Sequence, residues 1–462
     1  MTNKTLLSQS EIEAIHQATL QVLVETGILI DDPDSRSLLF DHGCSENDGR
    51  LQIPPDLVEK CLQLCPRQVI LQGRDSQACL GDGKLYVHNL GGARDVYDPS
   101  TKTLRPATNS DNAESARLMD ALENVATITP LYTPRDVPAE KITQHMFVET
   151  IRNTLKPLNG PGVHSIEDAR EFAELTAIIF GDHASITVGL SPVSPLNFLG
   201  HVAPVILEIA RLGLTLGPLP CPNVGATSPM SLAGSIVQQN AEVLATIVLA
   251  ELAHPGLPVV YNGRLSALDM RHGTPIWGNP EVGIMSAATV QIGHYYHLPV
   301  NVYGLAASGY SPDIQSGYER AINALVPALA GADELSGVGE MAGGTYSCNA
   351  QIVIDNDIYG MVHRVCRGFS VDEDSLAVDV IAHAMSTSRN FLGEKHTRKY
   401  SHSGEIWEGK LGIQEIGWEM WHSAGSPTAL DRAQAVSADI LRNHFVPPLS
   451  EEQERELKKL LS

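Results

Sequence analysis

Residues 257–263, LPVVYNG, and residues 298–304, LPVNVYG, are two versions of one short apolar segment. Each follows a stretch of helical periodicity that contains histidine, and each ends in glycine. Their spacing corresponds to one β/α unit. A β-rich segment that recurs after a helix predicts parallel strands joined by helical crossovers, so the pair indicates an α/β fold.

The same alternation continues on both sides of this pair, over roughly eight units of the size expected for a barrel. The short apolar runs begin near Leu85, Ala126, Leu158, Ser185, Leu214, Leu257, Leu298 and Glu334. The amphipathic stretches begin near Asn109, Ala139, Ile166, Asn197, Met230, Pro280, Asp313 and Asn349. Eight such pairs predict a closed (β/α)8 TIM barrel. The alternative, an open doubly wound sheet, needs a glycine-rich first turn, and neither GxGxxG nor GxxxxGK[ST] occurs.

Regions without this alternation flank the predicted barrel. We expect an N-terminal helical region at 1–80, the barrel at 81–370, and a C-terminal helical appendage at 371–462. Ser8 with Glu11, and Ser450 with Gln453, predict capping boxes at the first and last helices. The appendages carry apolar stripes beyond what one barrel surface needs, which favours a homo-oligomer.

Charge and hydropathy exclude several classes of partner. The 462-residue chain has 32 Lys and Arg against 54 Asp and Glu, a net charge of −22, so nucleic acid and anionic membranes would be repelled. The charge-free segment 212–241 is interrupted by proline and glycine, which predicts a buried strand, a loop and a helix start. The first residues lack the apolar run of a signal peptide. We therefore expect a soluble, cytoplasmic protein.

In a barrel of this type the active site lies at the carboxyl ends of the strands. The residues predicted there are Asn89, Tyr97, Tyr132, Arg135, Asn223, Asn262, Arg264, Tyr303 and Glu340. Arg264 and Arg135 are candidates for binding a substrate carboxylate, with Arg264 preferred because it follows the predicted end of the sixth strand by one glycine. Its structural alternative is an ion pair with an acid such as Glu281. Glu340 is the carboxylate predicted to act as an ionised counter-ion or as a proton donor.

A metal site and an aromatic cage are the two other kinds of site that these strand ends could form. His88 and His164 fall at predicted strand ends, but a catalytic zinc needs about three ligands, so no metal is expected. Six tyrosines fall at or just beyond strand ends and could form an aromatic cage for a quaternary ammonium ion, although tyrosine also favours half-buried rims. These tyrosines are Tyr97, Tyr132, Tyr261, Tyr303, Tyr310 and Tyr346.

Several motifs, in order along nearly the whole chain, resemble the trimethylamine methyltransferase family. The most specific is Asn223-Val-Gly-Ala-Thr-Ser-Pro-Met-Ser-Leu-Ala-Gly234 with Gln239-Asn-Ala-Glu-Val-Leu244. The others are Gly91-Gly-Ala-Arg-Asp-Val-Tyr-Asp98, Arg105-Pro-Ala-Thr, Asp111, Asp269-Met-Arg, Gly278-Asn-Pro-Glu281, Gly331-Ala-Asp, Phe391-Leu-Gly and His396-Thr.

The resemblance implies a (β/α)8 barrel that moves a methyl group from a methylamine to the cobalt of a separate corrinoid (cobalamin) protein. Founding members carry pyrrolysine, whereas this chain contains only the twenty standard residues. It therefore resembles the non-pyrrolysine branch, whose characterised members act on quaternary amines such as glycine betaine. The resemblance assigns no single catalytic residue.

The chemistry agrees with this branch. A quaternary amine departs as a neutral tertiary amine, so the protein needs no general acid and has mainly to position the methyl group. Residues 337–344, GVGEMAGG, lack the aromatic residue expected in betaine-type relatives, which leaves the exact amine open. A tertiary methylamine or tetrahydrofolate-linked methyltransferase, and a non-catalytic betaine-binding protein, remain the alternatives.

Overall fold

The structure is a computed structural model that describes residues 5–181, 186–412 and 417–461. The start predicted for the fourth strand, Ser185, lies outside these ranges. The α-helices are Gln9–Gln21, Pro33–Asp41, Pro55–Leu64, Asn109–Ala121, Ile142–Arg152, Ile166–Phe180, Val202–Arg211, Leu232–Ala253, Pro280–Tyr295, Ile314–Ala330, Asn349–Arg367, Glu373–Leu376, Val378–Ser386, Lys395–Ser401, Trp418–Ser423, Ala429–Asn443 and Glu451–Leu461. A π-helical turn, Val22–Thr26, and a 3₁₀ turn, Ala139–Lys141, adjoin two of them.

The central strands pair in parallel. One sheet has the order Tyr261–Gly263, Val300–Tyr303, Glu334–Val338 and Tyr86–Asn89, and another joins Thr215–Pro218, Thr187–Leu190 and Asn159–Gly162. Single parallel bridges link their edges, at His88–Thr127, Ile128–Leu158 and Leu216–Val259. All eight predicted strand positions thus take part in parallel pairing. The α/β fold class is confirmed, and the two copies of the repeated segment lie side by side, with Asn262 opposite Asn301.

Helices alternate with these strands and cover them. The helix Leu232–Ala253 is long and apolar enough to cross a membrane, but 72% of its most apolar window is buried inside the protein. Such burial is typical of a core helix. The charge-free segment is confirmed as the strand Thr215–Pro218, a loop and the start of this helix.

Residues 5–80 contain three α-helices and also two antiparallel strand pairs. These are Ser45–Asn47 with Arg50–Gln52 and Val69–Gln72 with Gln77–Leu80. Asp48 and Gly49 connect the first pair with φ of 48° and 75°, as a tight hairpin turn requires. An Asp-Gly pair is a hairpin signal, and the prediction of a helical region overlooked it.

Two small sheets extend the loops that follow the first, fifth, sixth and eighth strands. Asp95–Asp98 pairs with Thr103–Pro106 and Tyr346–Ser347, and Ser266–Asp269 pairs with Thr274–Ile276 and Asn223–Val224. At the carboxyl terminus, helix Ala429–Asn443 packs on helices Asn349–Arg367 and Asn109–Ala121, and helix Glu451–Leu461 packs on Ile166–Phe180. Both predicted capping boxes form.

Candidate active site

A cavity of about 690 Å³ lies among the parallel strands and opens toward their carboxyl ends. Side chains from strands one, three, four, six, seven and eight line it, together with loop residues that follow them. Three predicted site residues, Asn262, Arg264 and Tyr303, are among them. Its polar and charged lining includes His88, Asn159, Thr187, Asn262, Arg264, Asn301, Tyr303 and Glu334.

Glu334 places a carboxylate at the cavity's inner end, on the first residue of the eighth strand. Its Oε1 accepts hydrogen bonds from Thr127 Oγ1 at 2.5 Å and Asn159 Nδ2 at 2.9 Å, and its Oε2 accepts one from Asn301 Nδ2 at 2.5 Å. All three partners donate, as a carboxylate requires, and about one of its four lone-pair positions remains free. The residue is only 1% exposed. Glu334 therefore supplies a fixed acceptor group inside the cavity.

Arg264 brings a cation to the same cavity. Its Nη1 donates to the carbonyl oxygens of Gly263 and Asn301, both at 3.0 Å, and its Nη2 donates to Asn301 Oδ1. The guanidinium carbon lies 4.8 Å from the centre of the Tyr303 ring. Burial lowers the pKa of Arg264. The Arg264 Nε–H and one Nη2 hydrogen have no acceptor within the described ranges, so they can grip an anionic group.

Asn301 joins the two charged groups. Its amide nitrogen donates to Glu334 and lies 2.9 Å from His88 Nε2, while its oxygen accepts from Arg264. Burial lowers the pKa of His88 below its ordinary value of 6.5, so the imidazole is neutral at pH 7 and Nε2 can accept. The cavity therefore holds a cation and an anion that are bridged by one amide and do not form a direct ion pair.

Several lining side chains keep polar atoms that no part of the described chain satisfies. These atoms are His88 Nδ1, Thr187 Oγ1 and Asn262 Oδ1. Buried polar atoms are normally hydrogen-bonded, so unpaired ones that cluster at one cavity are best explained by a polar ligand or ordered water. By contrast, no three His, Cys, Asp or Glu side chains in the described ranges are grouped closely enough to hold a metal ion.

Six of the predicted site residues do not line this cavity. Asn89 is fully buried and joins the first two strands, since its side chain donates to Thr129 O at 2.7 Å and accepts from Thr129 N at 2.9 Å. Asn223 binds Ser266 within a small rim sheet. Arg135 is exposed, with Nη2 3.5 Å from Asp95 Oδ1. These three residues therefore lie outside the cavity wall.

The predicted tyrosine cage does not form. Tyr97 and Tyr346 pair with each other outside the cavity, with ring centres 5.7 Å apart. Tyr132 and Tyr261 are core residues, each 1% exposed, and Tyr310 is 76% exposed. Tyr303 alone of the six lines the cavity, and its ring already stacks with Arg264. The tyrosines separate because they lie on different layers of the strands and loops.

Glu340 is also placed differently from the prediction. It is 2% exposed, lies outside the cavity lining, and neither carboxyl oxygen has a hydrogen-bond partner within the described chain. Burial raises its pKa from 4.5 to about 8, although Arg320 and Arg264 oppose the shift. The prediction that Glu340 is an ionised counter-ion at pH 7 is therefore wrong, because the burial of a carboxylate without a hydrogen-bond partner costs too much free energy.

This protonation makes a testable prediction for stability. The folded protein holds a proton on Glu340 that the unfolded chain releases. The contribution of protonated Glu340 to the unfolding free energy is therefore full below pH 4.5 and is lost as the pH rises toward 8. Glu340→Gln should match the wild type at pH 4.5 and exceed its unfolding free energy by about 3 kcal/mol at pH 7. Urea unfolding at the two pH values measures this, with the exposed Glu452→Gln as control. Parallel pH profiles for wild type and Glu340→Gln would contradict the assignment.

The residues that sequence reasoning missed lie deeper than the strand ends. Glu334, Asn301, Asn159 and Thr187 occupy strand positions whose neighbours are mostly apolar or glycine. Parallel strands covered on both faces are normally near-continuous apolar runs. An Asn or Glu inside such a run is therefore a signal for a polar group buried among the strands, and the prediction, which considered strand ends, overlooked it.

The chain was compared with known protein families. The family described as "Trimethylamine methyltransferase (MTTB)" matches residues 1–462. This chain belongs to the trimethylamine methyltransferase family. The predicted resemblance is thus confirmed over the full length.

Relatives within the family differ in the amine that their names state. The trimethylamine methyltransferase of Methanosarcina barkeri is 32% identical over 460 residues, covering 96% of this chain and 92% of the relative. The glycine betaine methyltransferase of Desulfitobacterium hafniense is 27% identical, covering 99% and 96%. The crystal structure of the Methanosarcina barkeri monomethylamine methyltransferase superposes with a TM-score of 0.55 over 97% of this chain and 87% of that one, at 12% identity. That last likeness concerns the fold.

Proposed function

We propose that this protein moves a methyl group from a quaternary amine of the glycine betaine type to the Co(I) of a cognate corrinoid protein. The observation that carries the proposal is the pair of oppositely charged groups in one cavity, Arg264 and Glu334, bridged by Asn301. A betaine carries a fixed cation and a carboxylate a few ångströms apart. Its carboxylate would take the free N–H groups of Arg264, and its ammonium would lie toward Glu334.

The reaction asks little acid–base chemistry of the protein. Co(I) supplies the nucleophile that accepts the methyl group, and the leaving group is a neutral tertiary amine. The chain's own residues have to hold the substrate so that one methyl points to the cavity mouth, and to keep water from the ammonium. Neutral His88 and the amides of Asn262 and Asn301 suit this positioning role, because none of them competes for a proton at pH 7.

The cavity mouth fits the approach of a bulky partner. Five lining residues are glycines, at positions 91, 92, 160, 162 and 189, so backbone forms much of the wall. Added side chains at 91 and 160 would meet backbone oxygen atoms within 2.9 Å. A cavity of about 690 Å³ with such a wall has room for a small amine. The corrinoid ring of the partner protein would stay outside, at the cavity mouth.

The remaining proposals concern architecture. We infer that the cycle of parallel pairings described above is the closed (β/α)8 barrel, with helical regions before residue 81 and after residue 370. We also propose that the protein is cytoplasmic and a homo-oligomer. The second candidate function is demethylation of trimethylamine, which the 32% identity to trimethylamine methyltransferases favours over the 27% identity to the betaine enzyme.

Arg264 provides a direct test of how the substrate is recognised. Arg264→Ala should lower kcat/KM for glycine betaine by about 10- to 100-fold. This loss corresponds to the ~1.5–3 kcal/mol of a charge-assisted hydrogen bond. Choline, which lacks the carboxylate, should lose much less. Steady-state methyl transfer with both amines measures the difference. An equal loss for the two substrates would assign Arg264 a structural role through its bonds to Asn301.

A further inference from the structure

A second cavity, of about 990 Å³, lies at the end of the strands opposite the candidate active site. Leu85, Leu298 and Asp333 line it, and they precede the first, seventh and eighth strands. In a set of parallel strands these positions share one end, whereas the candidate active site opens at the carboxyl ends. The two cavities share no lining residue and are therefore separate sites.

The lining of this second cavity is basic, although the chain as a whole has a net charge of −22. Of the described residues that line it, six are Arg, Lys or His, and one, Asp333, is acidic. The basic residues are Arg67, Lys84, His294, His297, His363 and Arg367. An acidic protein surface repels small anions, so this local reversal of charge marks a place where an anion would be attracted.

The acid of the lining, Asp333, is already occupied. Its Oδ2 accepts a hydrogen bond from Val300 N at 2.8 Å and lies 2.8 Å from His294 Nε2. Lys84 also has an acid of its own, since its Nζ lies 2.8 Å from Asp82 Oδ2. Two guanidinium groups therefore remain among the charged residues of the lining.

These two groups, on Arg67 and Arg367, keep most of their hydrogen-bond donors. Within residues 5–181, 186–412 and 417–461, the Arg67 side chain makes no ion pair and no hydrogen bond. Arg367 donates through Nη2 to Gly404 O, which is uncharged. His363 lies one turn before Arg367 on the same helix. Each guanidinium has five N–H donors, so the pair offers a ligand several donors and two positive charges.

The structural alternative is that these cations stabilise helix ends. Basic side chains gather at the carboxyl ends of helices because the last carbonyl groups carry partial negative charge. In the described part of the chain, however, Arg67 donates to no carbonyl group, and Gly404, the acceptor of Arg367, lies outside any helix. The two arginines therefore do not cap the helices that end near the cavity. These helices are Pro55–Leu64, Pro280–Tyr295, Ile314–Ala330 and Asn349–Arg367.

We propose that this second cavity binds a small molecule through a phosphate group. A single guanidinium engages both oxygens of a carboxylate, whereas a phosphate has further oxygens for a second guanidinium. Two arginines without an acidic partner thus fit a phosphate better than a carboxylate. A volume of about 990 Å³ also leaves room for an organic group beyond the phosphate. The inference does not rest on the proposed methyl transfer.

Isothermal titration calorimetry with pyrophosphate tests the site on the full-length protein. Wild type should bind one pyrophosphate per chain with a Kd at or below about 1 mM. Arg67→Gln should weaken binding about 10-fold, and Arg67→Gln with Arg367→Gln at least about 100-fold, because one and two charge-assisted hydrogen bonds are lost. The matched control, Arg398→Gln with Arg455→Gln, removes the same charge from exposed arginines elsewhere and should keep the wild-type affinity.

Two further measurements locate the bound anion. Arg264→Ala should bind pyrophosphate as the wild type does, because Arg264 lines the other cavity. Hydrogen exchange should show pyrophosphate protecting amides in residues 81–84 and 331–333, which border the second cavity, in wild type and not in the double variant.

Comparison of small anions identifies the ligand class. Orthophosphate should bind more tightly than malonate, although malonate carries at least as much negative charge at pH 7. Tighter binding of adenosine monophosphate than of orthophosphate would indicate an organic phosphate, and equal binding would indicate the phosphate ion itself. The proposal would be overturned by a wild type without saturable pyrophosphate binding, by unchanged affinity in Arg67→Gln, by loss of binding in Arg264→Ala, or by malonate binding as tightly as orthophosphate.

Discussion

Glu334→Gln is expected to lower the affinity for a quaternary ammonium by roughly 100-fold. A unit charge about 5 Å from the carboxylate, at an effective dielectric constant of ~20, gains ~3 kcal/mol, and the amide removes that charge while keeping the size of the side chain. Isothermal titration calorimetry with choline measures the effect. The substitution also replaces one acceptor oxygen by an NH2 donor that would face the donating groups of Asn159, Thr127 or Asn301, so affinity alone would mix charge with geometry.

The uncharged carbon isostere of choline resolves this ambiguity. Wild type should prefer choline to the isostere, and Glu334→Gln should lose the preference whatever happens to its shape. Glu340→Gln is the matched control, because Glu340 lies off the cavity and is protonated at pH 7, so the preference should persist. If Glu334→Gln kept the full preference for the cation, Glu334 would not be its counter-charge.

Dimethylglycine, the product of one transfer from glycine betaine, is expected to react at least about 100-fold more slowly than glycine betaine at saturation. That ratio corresponds to ~2.7 kcal/mol in the barrier. As a free base it would have to leave as an amide anion. As a protonated amine it brings an N–H to the acceptor oxygens of Glu334, and a shared proton removes the full positive charge that departure needs.

Initial rates of methylation of free Co(I) cobalamin, followed by its absorbance, give this comparison directly. Both amines should bind, because both carry the carboxylate that we propose Arg264 binds. The inert amine should therefore act as a competitive inhibitor of the active one. Comparable rates for the two amines would move the function to a tertiary-amine demethylase.

The fold was largely predictable because its periodicities are local. The repeated segment at 257–263 and 298–304 marks two adjacent parallel strands, and the parallel pairing places them side by side. The hairpins in the first eighty residues were missed because helical patterns on either side dominate, although Asp48-Gly49 is a turn signal. Boundaries of helices after proline-rich loops also shifted, as at Val202–Arg211, predicted to begin near Asn197.

The site was predictable only in part because a cavity depends on which strand layer a residue occupies. Asn262, Arg264 and Tyr303 were found, since each lies at or next to the end of a strand that faces the cavity. The prediction for Glu340 was wrong because the sequence does not show that its carboxyl group has no hydrogen-bond partner once it is buried. Glu334 and Asn301 were missed because their significance comes from contacts across three different strands.

The proposed substrate class is tested by comparing glycine betaine with trimethylamine as methyl donors for the purified full-length protein. Each amine is supplied at saturation with Co(I) cobalamin at pH 7, and the amine product is quantified together with the methylated corrinoid. We expect transfer from glycine betaine, with one dimethylglycine formed per methyl group transferred, and little or none from trimethylamine. Faster transfer from trimethylamine than from glycine betaine would contradict it.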